Sequence, residues 1–457
     1  MKTSFLKQRG HDEVFPTWRP AQAGTFILRR ACAYGLVMAI QMALSAAVCS
    51  ATDFEVPPVL KAAYLAPRDL PLKGERYRVD EDVPTDGYLA AFTIRSDFGP
   101  IEARGPGMLR MRLAEVEALA VLEKMETSAV FVDAVKRSAS SLGGAVVNVV
   151  TNPVEVVKAM PASVGRFFGR LVRQSKTAVQ KMGDVNDDRE AGAPRGAAAS
   201  TNQQNVAVAG GVATGRAIRD ILGYDEQRRH LAKKLSVDPY TTNPILKKKL
   251  DDVAWAAFAG GLGIDVLASK VPGSRLIQSS SMLSDWIYEK PPGDLKVWIE
   301  KTLQEIGCDQ DTIDLFLRQK YWTLTTQTAL VMALDKLKGV EGRTEVLDTA
   351  VTAETEDQVR FLTAGIAMLA RENEKTPVKT IIGGRPVAMT PEGRVVVTAP
   401  VDFVTWTEKI SEFAHREDLI PYRPVVFLTG IVSFRVRSEM QKAGWEVRER
   451  IPLAGAL

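Results

Sequence analysis

From Ala31 to Ala51 the chain carries no charged residue, and the run follows directly on Arg29-Arg30. No other stretch limits so strictly where the remaining residues must fold. Leu36, Val37, Ile40, Met42, Leu44 and Val48 make the run strongly apolar, and basic residues on its amino-terminal side are held at the cytoplasmic face of a bilayer. Cys49-Ser50-Ala51 ends it with small residues at the spacing a signal peptidase accepts. The pattern predicts export: residues 1–51 form a signal peptide cleaved after Ala51, and the mature chain works in the periplasm. Retention as an inner-membrane anchor through residues 31–51 is the competing expectation, since about 20 apolar residues just span a bilayer. Val48 departs from a lipobox before Cys49, and Leu28 with Ala31-Cys32-Ala33 departs from a twin-arginine signal. Full-length chain found in the cytosol with its leader intact would remove the export reading.

The leader also biases the charge balance. Residues 1–51 hold six of the 59 Lys/Arg and two of the 55 Asp/Glu, which leaves 53 of each beyond Ala51. A neutral chain offers no global electrostatic case for nucleic acid as a specific partner. Of three cysteines only Cys308 lies beyond the leader, so no intrachain disulfide is available there and stability must come from the core. Roughly 400 residues support two or three domains with real cores.

The hydrophobic periods predict an α+β, multidomain chain. Over 52–183, strands at Arg76–Val79, Tyr88–Arg95 and Ile101–Arg104 alternate at period two, Asp97-Phe98-Gly99-Pro100 turns the hairpin, and Gly105-Pro106-Gly107 breaks the strand pattern. Leu109, Leu113, Val116 and Ala120 then recur at helical spacing through 108–125. Residues 134–183 carry eight basic side chains and one acid, Glu155. Within them a helix opens at Pro161. Phe167, Phe168 and Leu171 lie on its apolar face, and Arg166, Arg170 and Arg173 lie opposite. Residues 184–204 are rich in Asp, Gly, Ala, Ser and Asn, which predicts a flexible linker.

Residues 205–374 read as an all-α irregular bundle, with helices over 212–221, 225–235, 243–268, 274–289, 294–306, 311–338, 343–353 and 355–372. Asp294 and Asp311 are expected caps, Gly307 and Gly339 expected stops. Residues 375–457 read as a small α/β module. A hairpin turns at Gly383-Gly384, and strands at Arg394–Ala399, Val425–Thr429 and Trp445–Arg450 alternate with helices over Phe403–His415 and Ser433–Ala443. That order implies a short parallel sheet with right-handed crossovers.

Familiar chemistry is scarce. His230 and His415 lack neighbours at zinc-ligand spacing. Gly210–Arg216 lacks the Lys-Ser/Thr of a phosphate loop, and Gly260-Gly261-Leu262-Gly263 lacks the third glycine of a dinucleotide fingerprint. Arg189 stands where a calcium loop needs glycine, and no Gly-x-Ser-x-Gly elbow occurs. No metal and no cofactor is expected, and enzymatic activity is not the leading expectation.

Two functional readings follow. In the first, the chain is a non-enzymatic bacterial envelope protein. Arg166, Phe167, Phe168, Arg170, Leu171 and Arg173 touch an anionic membrane surface or envelope polymer, and the helical domain meets a protein partner. In the second, the C-terminal module is an enzyme or a binder of a small ligand or anion. Ligands gather beyond the carboxyl ends of parallel strands, a place taken by Thr429, Gly430 and Ser433, with Asp402 beside them if the strands are adjacent. Helix capping alone would also explain Ser433 and Asp402. A cleft of converging Asp, Ser and Arg near Thr429 favours the second reading; a filled surface favours the first.

Overall fold

The computed structural model describes residues 54–141, 211–261, 264–265 and 282–453. The apolar run at 31–51, the basic helix expected from Pro161 and the linker at 184–204 lie outside the described residues.

Val59–Lys61 (β1) leads into one helical turn, Ala62–Leu65 (α1), followed by Tyr77–Val79 (β2) and Asp82–Pro84 (β3). β3 returns antiparallel to β1. Ala91–Ser96 (β4) and Gly99–Arg104 (β5) complete an antiparallel sheet in the order β2-β4-β5. The alternation seen in the sequence puts Phe92 and Ile94 in the core. The strand starts at Ala91 rather than Tyr88, because Asp86 accepts the Tyr88 and Leu89 N–H groups and ties 86–89 into a turn. The helix Gly105–Glu126 (α2) covers this sheet with Leu109, Leu113 and Val116. Each such side chain, fully buried, contributes about 1.5–3 kcal/mol.

The helices Ala129–Ser141 (α3), Gly211–Leu235 (α4), Pro244–Ala259 (α5), Met282–Glu289 (α6), Pro292–Ile306 (α7), Gln310–Arg318 (α8), Leu324–Lys336 (α9), Arg343–Val351 (α10) and Glu356–Asn373 (α11) follow. Several bounds differ from the sequence reading. The two helices expected over 212–235 are one, and a Cβ on Gly223 would approach the Phe258 ring to 2.8 Å, so that glycine serves packing rather than termination. α5 stops at Ala259 instead of running to 268, since Gly260 caps it and Gly261 turns left-handed at φ +64°. The helix expected over 311–338 is split between α8 and α9. Thr323 and Thr326 cap α9 reciprocally, while the Gln319 amide donates to the Val351 and Ala353 carbonyls. Asp309, not Asp311, caps α8, and Asp294 lies in the first turn of α7 behind Pro291. Gly307 ends α7 at φ +98°, as its position predicts.

The last segment comprises Thr380–Ile381 (β6), Val387–Met389 (β7), Val395–Ala399 (β8), Phe403–Val404 (β9), Glu408–Ala414 (α12), Val425–Leu428 (β10), Ile431–Val432 (β11), Phe434–Lys442 (α13) and Glu446–Arg448 (β12). Five strands form one sheet in the order β12-β10-β8-β7-β6. β8, β10 and β12 run parallel as expected, but the β6–β7 hairpin joins the same sheet antiparallel, so the sheet is mixed. The helix expected to begin at Phe403 begins at Glu408, capped by Thr407, because β9 pairs in parallel with β11.

The sheet has two cores. On one face Val396, Val425 and Phe427 join the helical core with α9 and α11. There the Thr398 hydroxyl donates to the Gly365 carbonyl at 2.7 Å, and a Cβ on Gly365 would come within 2.8 Å of Pro386. Glycine is what lets α11 lie so close. On the other face Val395, Val397, Val426 and Leu428 pack with α12 and α13. The fold is therefore α+β: small amino-terminal sheets, a largely helical middle and a carboxy-terminal five-stranded mixed sheet.

Candidate functional site

β8 and β10 end side by side, and the chain leaving them builds one wall of a cleft. The Thr429 N–H donates to the Ala399 carbonyl at 3.3 Å, and its hydroxyl donates to the Val401 carbonyl at 2.6 Å. Gly430 lies against the Asp402 main chain, where an added Cβ would stand 2.0 Å from the Asp402 carbonyl oxygen. Only glycine allows this approach, and it brings the ends of the two strands together. The Arg450 N–H donates to the Gly430 carbonyl at 2.9 Å, which fixes the carboxy-terminal segment across the opening.

The other wall comes from the amino-terminal segment, some 300 residues away in sequence. The Asp402 N–H donates to the Tyr88 carbonyl at 2.8 Å, and the Thr405 N–H to the Gly87 carbonyl at 2.9 Å. In return the Ala90 N–H donates to Asp402 Oδ2 at 2.8 Å. Gly105, the first residue of α2, has φ +81°, and a Cβ there would sit 3.4 Å from the same oxygen. Asp402 thus joins the strand end to the start of α2. It caps no helix: Thr407 performs that task for α12.

These walls enclose a cleft of about 660 Å³, lined among others by Arg68, Arg104, Asp357, Arg360, Asp402 and Arg450. Arg104 is ion-paired with Asp86 and, at 2.8 Å, with Asp357, and Arg360 is bound to Glu356 at 2.9 Å. Arg68 and Arg450 are exposed and form no ion pair among the described residues. The lining therefore keeps uncompensated positive charge. Burial pushes the Asp402 carboxyl up to about 7, helped by repulsion from Asp86 and opposed by the Ala90 N–H and by Arg104. Near neutral pH this group exchanges a proton, and when protonated it adds no negative charge to the cleft.

Of the residues singled out in the sequence, Thr429, Gly430 and Asp402 line the cleft together. Ser433 stands apart. Its hydroxyl accepts the Val436 N–H at 3.1 Å and caps α13. Arg166, Phe167, Phe168, Arg170, Leu171 and Arg173 lie outside the described residues. Sequence reasoning missed Arg68, Arg104, Arg360 and Arg450. One signal was present: Gly105-Pro106-Gly107 directly after Arg104, a break in the pattern that marks a helix start facing something close.

Elsewhere, burial pushes the half-buried Cys308 thiol up to about 11, which keeps it protonated at neutral pH. His415 ends α12, its Nδ1 2.8 Å from the Ser411 carbonyl oxygen. Among the described residues no group of His, Cys, Asp and Glu could hold a metal ion, and no helix is long and apolar enough to cross a membrane. Compared with known protein families, characterised proteins and solved structures, the chain matches none.

Proposed function

We propose that this chain binds a small anionic molecule in the cleft between the carboxyl ends of β8 and β10 and the start of α2. One observation carries the reading: Arg68 and Arg450, without an acidic partner among the described residues, both line a 660 Å³ cleft that also holds Asp402, Thr429 and Gly430. The volume lies within the range of small-molecule sites, and the place is the one where α/β sheets gather ligands. The reading is binding rather than turnover. The Thr429 hydroxyl is committed to the Val401 carbonyl, and Asp402 has no partnered nucleophile beside it among the described residues. The uncharged run behind Arg29-Arg30 supports an exported setting for this binding.

The site draws on residues from both ends of the sequence, so its test needs the full chain. Thermal unfolding is followed with inorganic phosphate, acetate, a sulfonate and a nucleotide. Binding at a hundred times Kd stabilises the folded state by about 2.7 kcal/mol. Stabilisation by at least one of these anions, lost in the double variant Arg68→Gln/Arg450→Gln, is expected. A chain indifferent to the whole panel would overturn the proposal.

A further inference from the structure

A second cavity, of about 550 Å³, adjoins the cleft, and its character is the opposite. Val397, Val404, Phe413, Val426, Leu428 and Met440 line it. These side chains belong to the sheet face that α12 and α13 cover. The cover is short: α12 has seven residues and α13 nine. The cavity's volume and largely apolar lining fit an apolar portion of a small molecule.

The two cavities share five lining residues: Leu89, Arg104, Asp357, Phe361 and Val401. At the shared wall, the Arg104–Asp357 ion pair stands beside the apolar trio Leu89, Phe361 and Val401. One compartment is therefore cationic and polar, its neighbour is largely apolar with Arg385 and Arg416 also on its lining, and they meet at a boundary of mixed character. Resting on the anion-binding reading above, we infer that the ligand is an amphiphile. Its acidic head lies between Arg68 and Arg450, and its unbranched apolar tail passes Phe361 into the cavity over the valines of β8 and β10. Charge complementarity selects the acidic head, and the Val, Leu, Phe and Met side chains that make up most of the second lining, where Arg104 and Arg416 are ion-paired with Asp357 and Asp418, select the hydrocarbon.

Isothermal titration of the full chain with butanoate, octanoate, decanoate and decanol, each below its micelle concentration, tests this. Affinity is expected to rise about fourfold for each added methylene, the equivalent of full burial of that group. Decanol should bind at least about tenfold more weakly than decanoate, since it lacks the charge-assisted bonds to arginine. Val397→Phe, which fills the tail cavity from its floor, should abolish the dependence on chain length. Should that variant fail to fold, Arg68→Gln/Arg450→Gln at the exposed rim decides instead: decanoate weakens and decanol does not. Binding that is independent of chain length would overturn the amphiphile and leave the anion site standing. Equal affinity for decanol and decanoate would overturn the acidic head. Silence from all four, with phosphate and acetate also silent, would overturn both readings.

Discussion

Asp402 stands between an N–H that favours its anion and surroundings that do not. Ala90 donates to it, but burial and Asp86 outweigh that bond and hold the carboxyl near 7, against 3.8 for an ordinary aspartate. Between those values the folded chain binds more protons than the unfolded chain, so stability falls as pH rises through this window. The contribution is complete below about pH 4 and lost above about pH 7, and it amounts to at most about 4 kcal/mol. Burial also raises Asp252, to about 6, so the slope of the wild type alone is not diagnostic. Asp402→Asn keeps an acceptor for the Ala90 N–H and removes the titration. Urea unfolding at about pH 5 and about pH 8 should therefore show a shallower loss of stability in the variant than in the wild type. Parallel losses in the two proteins would mean that Asp402 is not the group responsible. The same proton affects the ligand, because neutralising Asp402 removes repulsion from the cleft, and anion affinity should rise as pH falls.

At the level of elements, the cleft depends on two strands of two residues each, β9 and β11, and on the glycine before β11. Gly430→Ala would place a methyl group 2.0 Å from the Asp402 carbonyl oxygen, an atom that itself accepts the Ile431 N–H at 3.0 Å. The backbone would have to move, at a cost of about 1–3 kcal/mol, and the Arg450 anchor would be disturbed with it. Gly293→Ala, where a Cβ meets nothing within 4 Å, is the control and should stay within about 0.5 kcal/mol of wild type in urea. A Gly430→Ala variant as stable as the control would show that the strand ends can part without loss. These small elements also mark how far sequence reasoning reached. Longer elements with a clear period were legible: the alternation through Phe92 and Ile94, the hairpin at Gly383-Gly384, the strands 395–399 and 425–428, and the Ser433 cap. Phe403 and Val404 were not. Their pairing with Ile431 and Val432 is a tertiary contact, and it overrides a local pattern that continues smoothly into α12. For the same reason half of the site was visible. Thr429, Gly430 and Asp402 follow from strand order, whereas Ala90 and Arg104 reach Asp402 only through a contact spanning about 300 residues.

At the scale of the whole molecule, the question is what keeps α2 and α11 in register, since both supply walls of the cleft. Glu115 on α2 has no solvent exposure. It binds Arg112 at 2.8 Å, the Asn243 amide at 2.9 Å and the Thr241 hydroxyl. Arg112 in turn donates to the Thr242 hydroxyl at 2.8 Å, and that hydroxyl donates to Glu356 at 3.0 Å, beside Arg360 on α11. Asn243 also caps α5 through the Ile245 and Leu246 N–H groups. One connected set of polar side chains thus joins the amino-terminal segment, the helical middle and the helix that lies on the five-stranded sheet. Removing one member of such a set leaves the others buried and unmatched, which costs about 3–5 kcal/mol, although the intact set adds little beyond what apolar side chains of equal volume would give. Glu115→Ala should therefore lower the urea midpoint sharply by a loss in that range, while Arg112→Met/Glu115→Met should recover a substantial part of it. Recovery in the double variant, with anion binding still weakened, would show that the network sets the alignment of the two walls rather than the stability of the fold. Equal losses in the single and double variants would instead mean that the polar contacts of Glu115, and not the volume it fills, hold the fold.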